Sequence, residues 1–562
     1  MPKYVVIGGT AGGPAFLGAL RRLSEDAEIV LVERSLHVSS ALCGLPFALS
    51  KEVSVESLEV MTPSQLRDEF KVDLRLGTEC IAVNHDDRTV TVKNLETSEV
   101  EVISFDKLCL SVGAKPIVPP VPNLADNPKV FTIRSMAQMP TLLETVQNSK
   151  KCVIIGGGFV GIECAEHLRI AGLEVTIIDR LDQLMAPFDK EFTFYIQSAC
   201  KAKGVDVILN ATCNSVINQN DGLVIKTEDK DVECDFVIVA AGVVPETSFL
   251  ADSGIKLSAR KYIETDEYMR VLIEKDGRIE PSNCVFAVGD AIEYRHLILP
   301  EKIPISLAGP TARSARVAAW NALNADQLKA FPPVLGTSVV RIFSTFVGQV
   351  GASAKMLKHY SMPFEFVYCT WANHVEWLTV PPAYPIHIAV RYEPISRRIL
   401  GASVAGNGPD VARVLDVLSA FIQKESTMED LEDFEVAYCP PTSNPKSVIN
   451  FAGNVALNVV NGRDVGLTPV KVVESGVPIV DVRSPQLIKM MGGIQGAMNI
   501  PLPQIRRRLK DLPQGKFAVI CKGGKQSHTA VCILRQLGCD AINVFGGFFA
   551  FSRVFPQRIV RS

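Results

Sequence analysis

Apolar and polar residues follow two different periodic patterns along this chain. One predicts strand–helix–strand units, and the other predicts antiparallel strands. In two segments a β-branched apolar run is followed by a glycine turn, a stretch with helical spacing, a second apolar run and an acid. These segments are KYVVIGGTAGGPAFLGALRRLSEDAEIVLVER, from residue 3, and KCVIIGGGFVGIECAEHLRIAGLEVTIIDR, from residue 151. Each predicts a strand–helix–strand unit of a parallel sheet.

From about residue 335 the pattern of apolar and polar residues changes. GTSVVRIFSTFVGQVG and IHIAVRYEPISRRILGASVAG alternate and predict antiparallel strands, whereas DVARVLDVLSAFIQ predicts an amphipathic helix. After a stretch rich in Asn and Gly, a last domain of about 95 residues begins, which holds VPIVDVRSP and FAVICKGGKQSHTAVCILRQLG. A length of 562 residues is consistent with several domains.

The second strand–helix–strand segment carries a complete dinucleotide-binding fingerprint. Gly156, Gly158 and Gly161 fit the pattern GxGxxG, and Asp179 ends the second strand. Such glycines let the turn approach a pyrophosphate at a helix N-terminus, and the acid bonds a ribose hydroxyl.

The first segment carries the same fingerprint with one change. Gly8 and Gly13 fit, and Glu33 follows at the expected distance, but Thr10 replaces the middle glycine. Because both copies combine strand, helix and acid in register, we expect two dinucleotide sites.

Three more buried strands run into glycine turns. They are found in LCLSVGAKPIVPP, FVIVAAGVVPET and CVFAVGDAIE, and their turn glycines are Gly113, Gly242 and Gly289. Asp290 follows the last of these at a strand end, where a carboxylate can hold a ribityl or other polyol hydroxyl. We expect all four residues to bind a cofactor.

Composition narrows the class of protein. Hydrophobic residues make up 47% and charged residues 21%, and the net charge is −3 with no basic segment, so neither nucleic acid nor a membrane is expected as a partner. The start MPKYVVIGGTAGG leaves no room for a signal peptide, and no apolar run approaches the ~20 residues that span a bilayer. Fourteen cysteines are then best interpreted as reduced thiols of a cytoplasmic protein. Histidine and cysteine spacing predicts no metal site.

Motifs along essentially the whole chain resemble those of the coenzyme A-disulfide reductase–rhodanese fusions, also described as NADH-dependent persulfide or polysulfide reductases. They belong to the single-cysteine flavoprotein disulfide reductases. The motifs are CGLP at 43–46, CVFAVGDAIE, LAGPTARSARVAAWN, GTSVVRIF, AYCPPTSNPK and the loop from Cys521.

The resemblance implies an α/β fold with two doubly wound dinucleotide-binding domains, for FAD and NAD, an α+β dimerisation domain and a C-terminal α/β rhodanese domain. The expected boundaries are 1–148 and 241–328 for the FAD domain, 149–240 for the NAD domain, 329–455 for the dimerisation domain, 456–466 for a linker and 467–562 for the rhodanese. It further implies a homodimer in which the dimerisation domain completes the partner's active site.

Cys43 is isolated in the turn SSALCGLPFALS, and the next cysteine is Cys80. The resemblance places Cys43 beside the flavin on the side away from NADH. Its thiolate would attack a disulfide or persulfide and be freed by reduced flavin, so the substrate's own thiol replaces a second cysteine. The alternative is a small buried core residue.

The resemblance also assigns residues to cofactor and substrate. Phe159 matches an aromatic gate for nicotinamide, although packing against the sheet is an equal alternative. Asp179 favours NADH, and NADPH remains an alternative because Arg180 follows it. Arg22 and Ser39 are expected to bind the substrate, with coenzyme A as substrate or bound ligand; the alternative for Arg22 is an exposed helix residue.

Cys521 opens the loop CKGGKQS before a predicted helix. Backbone N–H groups of such a loop form an anion nest suited to a persulfide. Where the usual rhodanese pattern has an arginine, this chain has Gln526, and Lys522 and Lys525 are the nearby cations. The alternative is a rhodanese that only packs.

The resemblance places Tyr438 near the partner's active cysteine. Its neighbour Cys439 would point away in an extended segment, so we expect Cys439 in the core. The family's asparagine before the active cysteine is Leu42 here, and its tyrosine pair is replaced by Thr379 and Val380. The substrate end therefore differs from the family more than the flavin machinery does.

Two other functions compete with reduction of low-molecular-weight persulfides, polysulfides or disulfides. An NADH oxidase or peroxidase cycles one cysteine through sulfenic acid, but that family has a histidine where this chain has Ala11. A sulfur carrier or redox sensor with little turnover would not need the intact second glycine turn.

Overall fold

The computed structural model describes residues 2–275 and 277–561. They form two compact units, Met1–Leu184 with Lys203–Gly336 and Met185–Ala202 with Thr337–Ser562.

The first unit contains a six-stranded sheet around the first glycine turn. Its strands in spatial order are Arg270–Lys275, Arg278–Ala287, Lys107–Leu110, Lys3–Ile7, Glu28–Val32 and Val72–Arg75. All neighbours are parallel except the first pair. Val5 and Val6 are fully buried, as expected of a strand covered on both faces.

A second sheet of the same unit surrounds the second glycine turn. Its five parallel strands are, in spatial order, Val205–Ile208, Glu174–Ile178, Lys151–Ile155, Phe236–Val239 and Val130–Phe131. In both sheets a strand feeds a glycine turn and a helix, and the chain returns as the neighbouring strand. Both are therefore doubly wound nucleotide-binding sheets.

Shorter elements complete the first unit. Its remaining strands are Thr78–Asn84, Thr89–Asn94, Val100–Ser104, Ala114–Pro116, Ser215–Gln219, Gly222–Lys226, Asp231–Cys234, Val243–Pro245, Glu293–Arg295 and Lys302–Pro304. Its α-helices are Gly12–Leu23, Leu45–Ala48, Pro63–Asp68, Met139–Asn148, Phe159–Ile170 and Ala308–Leu323.

The second unit begins with an antiparallel five-stranded sheet. The strands in spatial order are Ser338–Ile342, Thr345–Gly351, Ile399–Gly406, Pro385–Tyr392 and Glu365–Ala372. The helices of this α+β part are Lys190–Ala202, Ala354–His359, Asp410–Gln423, Met428–Glu432 and Val448–Val460. Buried Arg391 of the sheet bonds Asp189, just before the first of these helices.

The C-terminal part of the second unit is a parallel five-stranded sheet. Its spatial order is Gly466–Leu467, Ala541–Val544, Phe517–Ile520, Ile479–Asp481 and Met498–Asn499. Gly493–Ile494 pairs with Ile559–Val560. The α-helices are Pro469–Ser475, Pro485–Met491, Lys525–Gln536 and Gly547–Val554.

The predicted fold class is confirmed in all four of its parts, whereas the domain boundaries stay predictions. No helix among residues 2–275 and 277–561 combines the length and apolarity required to cross a bilayer. Those same residues contain no cluster of three or more His, Cys, Asp or Glu side chains suited to a metal.

Candidate active site

Both glycine turns have the close-packed geometry that only glycine permits. Gly8 and Gly156 have φ of +99° and +109°. A Cβ on Gly13 would lie 1.9 Å from the Gly8 carbonyl oxygen, and one on Gly161 would lie 2.0 Å from that of Gly156. A Cβ on Gly158 would meet no atom within 4 Å, so the second turn leaves open space at its middle glycine.

The two acids are held by their glycine turns in the same way. The Gly9 N–H donates to Glu33 Oε2 at 2.6 Å, and the Gly157 N–H donates to Asp179 Oδ2 at 2.7 Å. Leu181 donates a second N–H to Asp179 at 2.9 Å. Each carboxylate is thereby fixed next to the turn where a ribose is expected.

The residues present fit two dinucleotide cofactors. The helices Gly12–Leu23 and Phe159–Ile170 begin at their turns and direct free N–H groups and a positive dipole end toward them. Thr10 in the first turn leaves this arrangement intact. Phe159 is half-buried at the start of its helix. Its two predicted roles, a gate for nicotinamide or a residue that packs against the sheet, both stay predictions.

Gly113 and Gly242 are brought together by a two-stranded ribbon. The strands Ala114–Pro116 and Val243–Pro245, each directly after one of these glycines, pair antiparallel. Both glycines have positive φ, +69° and +111°. The ribbon thus joins the segments that follow the strands Lys107–Leu110 and Phe236–Val239, one from each nucleotide-binding sheet of this unit.

Asp290 has a partner that sequence reasoning missed. Gly289 has φ of +82°, and Asp290 Oδ2 accepts a hydrogen bond from Arg134 at 3.0 Å. The pair is mostly buried, with 34% and 19% of the arginine and aspartate side chains exposed. Arg134 therefore orients one carboxylate oxygen and leaves the other for a ligand.

Cys43 is one of two exposed cysteines among the fourteen in the chain. It lies in the 3₁₀ turn Leu42–Gly44, directly before the helix Leu45–Ala48. Exposure is unusual for cysteine and contradicts the core alternative, because free cysteines are among the most buried residues. An accessible thiol at a helix N-terminus is placed for nucleophilic chemistry.

The Cys43 segment is anchored to both nucleotide-binding parts of its unit. Upstream, the Ser39 N–H donates to the Gly9 carbonyl of the first glycine turn at 2.7 Å. Downstream, Ser50 Oγ lies 2.8 Å from Nδ1 of His167, a buried residue of the helix Phe159–Ile170. The Cys43 loop is therefore held between the first glycine turn and the C-terminal part of the helix Phe159–Ile170. No local sequence pattern predicts the contact with His167.

The two expected substrate-binding residues differ in exposure. Arg22 is exposed at the end of the helix Gly12–Leu23, whereas its neighbour Arg21 is buried and donates to the Phe70 carbonyl at 2.8 Å. Ser39 is 7% exposed with φ of +51°, and its backbone fixes the loop. Substrate binding by Arg22 and Ser39 stays a prediction.

The expectation that Cys439 lies in the core is wrong. Cys439 is exposed, and so is Tyr438, at 48%. Residues 434–439 form no strand, and a turn begins at Cys439, since the Thr442 and Ser443 N–H groups both donate to the Cys439 carbonyl. The alternation argument fails because it requires an extended backbone. Tyr438 belongs to the second compact unit and Cys43 to the first.

Cys521 directly follows the strand Phe517–Ile520 and is 2% exposed. Its sulfur accepts hydrogen bonds from the Gly524 N–H at 3.1 Å and from Ser527 Oγ at 3.3 Å. Gly524 has φ of +106°, which turns its N–H inward before the helix Lys525–Gln536. The predicted nest is therefore formed, and it directs donors at the sulfur.

A second glycine supports this nest, and two lysines flank it. A Cβ on Gly547 would lie 2.8 Å from the N atoms of Gly523 and Gly524. Lys522 is half-buried and Lys525 exposed. The two lysines named with Gln526 in the sequence therefore lie on the loop that holds Cys521, and Gln526 is itself exposed.

Comparisons with known proteins agree with this arrangement. The family model for pyridine nucleotide-disulphide oxidoreductases matches residues 2–319, and the model for rhodanese-like domains matches residues 471–553. The chain is 29% identical over 460 residues to coenzyme A disulfide reductase of Staphylococcus haemolyticus, which covers 81% of this chain and 99% of that protein. The coenzyme A disulfide reductase of Staphylococcus aureus (strain N315) is 30% identical over 460 residues, which again cover 81% of this chain and 99% of that protein.

Solved structures extend the likeness to the C-terminal domain. Reduced CoADR-RHD of Bacillus anthracis is 32% identical, with a TM-score of 0.92 over 100% of this chain and 99% of that one. An NAD-dependent persulfide reductase from A. fulgidus is 27% identical, with a TM-score of 0.90 over 98% and 99%. A water-forming NADH oxidase from Lactobacillus brevis is 25% identical, with a TM-score of 0.76 over 82% of this chain and 99% of its own.

Proposed function

The chain belongs to the pyridine nucleotide-disulphide oxidoreductase family, and on this basis we propose that it is an FAD-dependent enzyme that uses NADH to reduce persulfides, polysulfides or coenzyme A-type disulfides. The observation that carries the proposal is the exposed Cys43 thiol on a loop bonded to both nucleotide-binding parts. The similar proteins named coenzyme A disulfide reductase and persulfide reductase supply the substrate classes.

In this proposal the first glycine turn with Glu33, together with Gly113, Gly289 and Asp290, holds FAD. The second turn with Asp179 and Gly242 holds NADH. When bound, FAD supplies the conversion of a hydride from NADH into an electron pair delivered to sulfur. The protein's task is to fix the acids and the turns, and Arg134 keeps Asp290 oriented.

The Cys43 thiolate begins the sulfur chemistry. It attacks the sulfur bound to carbon in a persulfide R–S–SH, a new S–S bond forms, and hydrosulfide leaves with the electron pair of the old one. With a disulfide, a thiolate leaves instead. Two electrons then cleave the mixed disulfide, and a proton from solvent completes the released thiol.

Cys521 handles sulfane sulfur in this proposal. Its sulfur is surrounded by N–H and O–H donors that stabilise an anionic persulfide better than a neutral thioether or core thiol. A rhodanese contributes nothing to reduction of a plain disulfide, because no sulfane sulfur moves. Its presence therefore favours persulfides and polysulfides as physiological acceptors.

The competing activities fit less well. The oxidase likeness covers 82% of the chain and leaves the rhodanese unexplained. Ala11, at the start of the helix Gly12–Leu23, has no acid–base group where the oxidase family has a histidine. A pure sulfur carrier would not need the second glycine turn and its bound Asp179.

Anaerobic NADH oxidation tests the proposal with coenzyme A disulfide, coenzyme A persulfide and polysulfide as acceptors. Cys43→Ser should retain FAD and its reduction by NADH but lose turnover with all three acceptors. Cys521→Ser should impair polysulfide-dependent turnover and spare the diffusible persulfide. Cys539→Ser, which changes a half-buried thiol outside the Cys43 and Cys521 loops, serves as the control.

Undiminished turnover by Cys43→Ser would refute the assignment of the redox cysteine. If coenzyme A disulfide is the best acceptor and Cys521→Ser changes nothing, the sulfur-transfer part of the proposal fails.

A further inference from the structure

The Cys521 loop is not enclosed by the rhodanese domain alone. The end of the strand Glu365–Ala372, in the α+β part of the same compact unit, forms a second wall. A Cβ on Gly523 would lie 3.5 Å from Thr370 Cβ, which is ordinary van der Waals contact. Lys525 Nζ lies 4.8 Å from the ring centre of Trp371, which stacks on Phe451 at 3.8 Å.

A carboxylate from this second wall reaches the loop. Glu376 Oε1 lies 3.1 Å from Nζ of Lys522, the residue that directly follows Cys521 in the sequence. The two side chains are 70% and 40% exposed, so the pair lies at the mouth of the site and not in the core. Lys522 Nζ also lies 5.5 Å from the ring centre of Phe549.

The second loop lysine has a different partner. Lys525 faces the indole of Trp371 and, among the residues that the structure describes, forms no salt bridge. The side chains at the mouth therefore carry two positive charges and one negative charge. Their sum is +1, where the loop taken by itself would give +2.

We propose that Glu376, supplied by the α+β domain, is a specificity-determining residue of the Cys521 site. It lowers the positive charge at the mouth, and the site therefore prefers singly charged sulfur donors, such as hydropolysulfide, to the thiosulfate dianion. This inference rests on the proposed sulfur-transfer function of Cys521 and names the charge class of its donor.

The transfer step itself balances for both donors. With thiosulfate, the Cys521 thiolate forms a bond to the sulfane sulfur, and sulfite leaves with the electron pair of the broken S–S bond. With hydropolysulfide, a hydropolysulfide shorter by one sulfur leaves in the same way. The donors thus differ in the charge brought past Glu376 and Lys522, and not in the bond that is made.

The size of the effect follows from Coulomb's law in water. For a donor bound at an assumed separation of about 6 Å from the carboxylate, removal of this negative charge should favour a monoanion about threefold and a dianion about tenfold. Salt screens charges at an exposed mouth, so the difference should shrink as ionic strength rises.

We call this preference for singly charged donors the charge filter. Sulfurtransferase kinetics with cyanide as acceptor test it. Glu376→Gln should lower the KM for thiosulfate about tenfold and that for hydropolysulfide about threefold, with kcat within about twofold. Lys525→Gln should raise both KM values, and the KM for thiosulfate should rise more than the KM for hydropolysulfide. Glu474→Gln, which removes an exposed acid of the helix Pro469–Ser475, is the matched control and should change neither.

An alkylation assay separates the charge filter from sulfurtransferase activity. The full-length protein is treated with iodoacetate or iodoacetamide. Carboxymethylation of Cys521 by the first reagent and its carbamidomethylation by the second are followed by peptide mass spectrometry. Glu376→Gln should raise the ratio of the anionic to the neutral rate about threefold, and Lys525→Gln should lower it. Equal ratios in wild type and these variants would overturn the inference. Shifted ratios in a protein without sulfurtransferase activity would support the filter and refute the proposed transfer function.

Discussion

At the scale of single residues, the site depends on side chains whose polar atoms are already engaged by the backbone. Asp179 accepts N–H groups of Gly157 and Leu181, so its carboxylate cannot turn away from a ligand at the glycine turn. A 2′-phosphate placed beside it would meet a fixed negative charge. We therefore expect Asp179 to contribute to discrimination between NADH and NADPH.

We expect NADH to be preferred, and Asp179→Ser to narrow the preference by about tenfold or more, which corresponds to about 1.4 kcal/mol. Serine can still accept a backbone N–H, so the turn should survive. Steady-state kcat/KM for both cofactors measures the effect, and Asp206→Ser, an exposed acid of the strand Val205–Ile208, is the control. Equal efficiencies in wild type would show that Arg180 compensates.

At the scale of elements, an acid from the predicted linker is buried against the rhodanese helix. Asp464 is 2% exposed and lies 2.8 Å from His528 Nδ1 on the helix Lys525–Gln536. Asn543 donates a further hydrogen bond to Asp464 at 3.1 Å. The hydrogen bond to Asp464 raises the pKa of His528, while burial opposes the shift.

This pair should make the stability of the rhodanese part depend on pH. Because the pKa is raised in the folded state, its stabilisation is complete below the ordinary histidine pKa and is lost as pH rises through the raised pKa. The contribution should be less than about 1 kcal/mol, because solvent reaches the His528 side chain, which is 30% exposed, and because burial opposes the raised pKa.

Scanning calorimetry of wild type and His528→Gln between pH 6 and pH 9 checks this expectation. The wild type should be the more stable protein at the acid end, and the two should converge at the alkaline end. A difference that is constant with pH would show that the imidazole packs without binding a proton. Groups facing His528 include Asp464 and Cys532, whose sulfur lies 3.6 Å from Nε2.

At the scale of the whole molecule, we expect a second chain to complete the Cys43 site. Tyr438, which the family resemblance places near the partner's active cysteine, is 48% exposed. Trp377 and Val380 of the second unit are 69% and 81% exposed, which is unusual for large apolar side chains and typical of residues that a partner covers. We therefore expect a homodimer in which this surface completes the partner's Cys43 site.

Subunit complementation tests the shared site. Cys43→Ser and Tyr438→Phe should each be impaired alone. When equal amounts are mixed and allowed to exchange subunits, about half of the dimers are mixed and each mixed dimer regains one intact site, so about a quarter of wild-type activity should return. No recovery in a sample shown by sedimentation to exchange subunits would contradict a shared site.

The sequence by itself determined the parts of this protein that depend on neighbours within about thirty residues. Both glycine turns, their helices and the acids Glu33 and Asp179 were predicted, because strand–turn–helix geometry constrains residue types locally. The Cys521 nest was predicted for the same reason, since its donors come from the next six residues.

Only the tertiary structure decided which distant groups meet. Arg134 reaches Asp290 across 156 residues, Ser50 meets His167 across 117, and Glu376 meets Lys522 across 146. Such contacts follow from how whole sheets and helices pack, which no local pattern of polar and apolar residues encodes. The wrong prediction for Cys439 has the same origin: alternation assigns faces only to an extended strand, and a turn that brings Thr442 N–H to its carbonyl places the thiol in solvent.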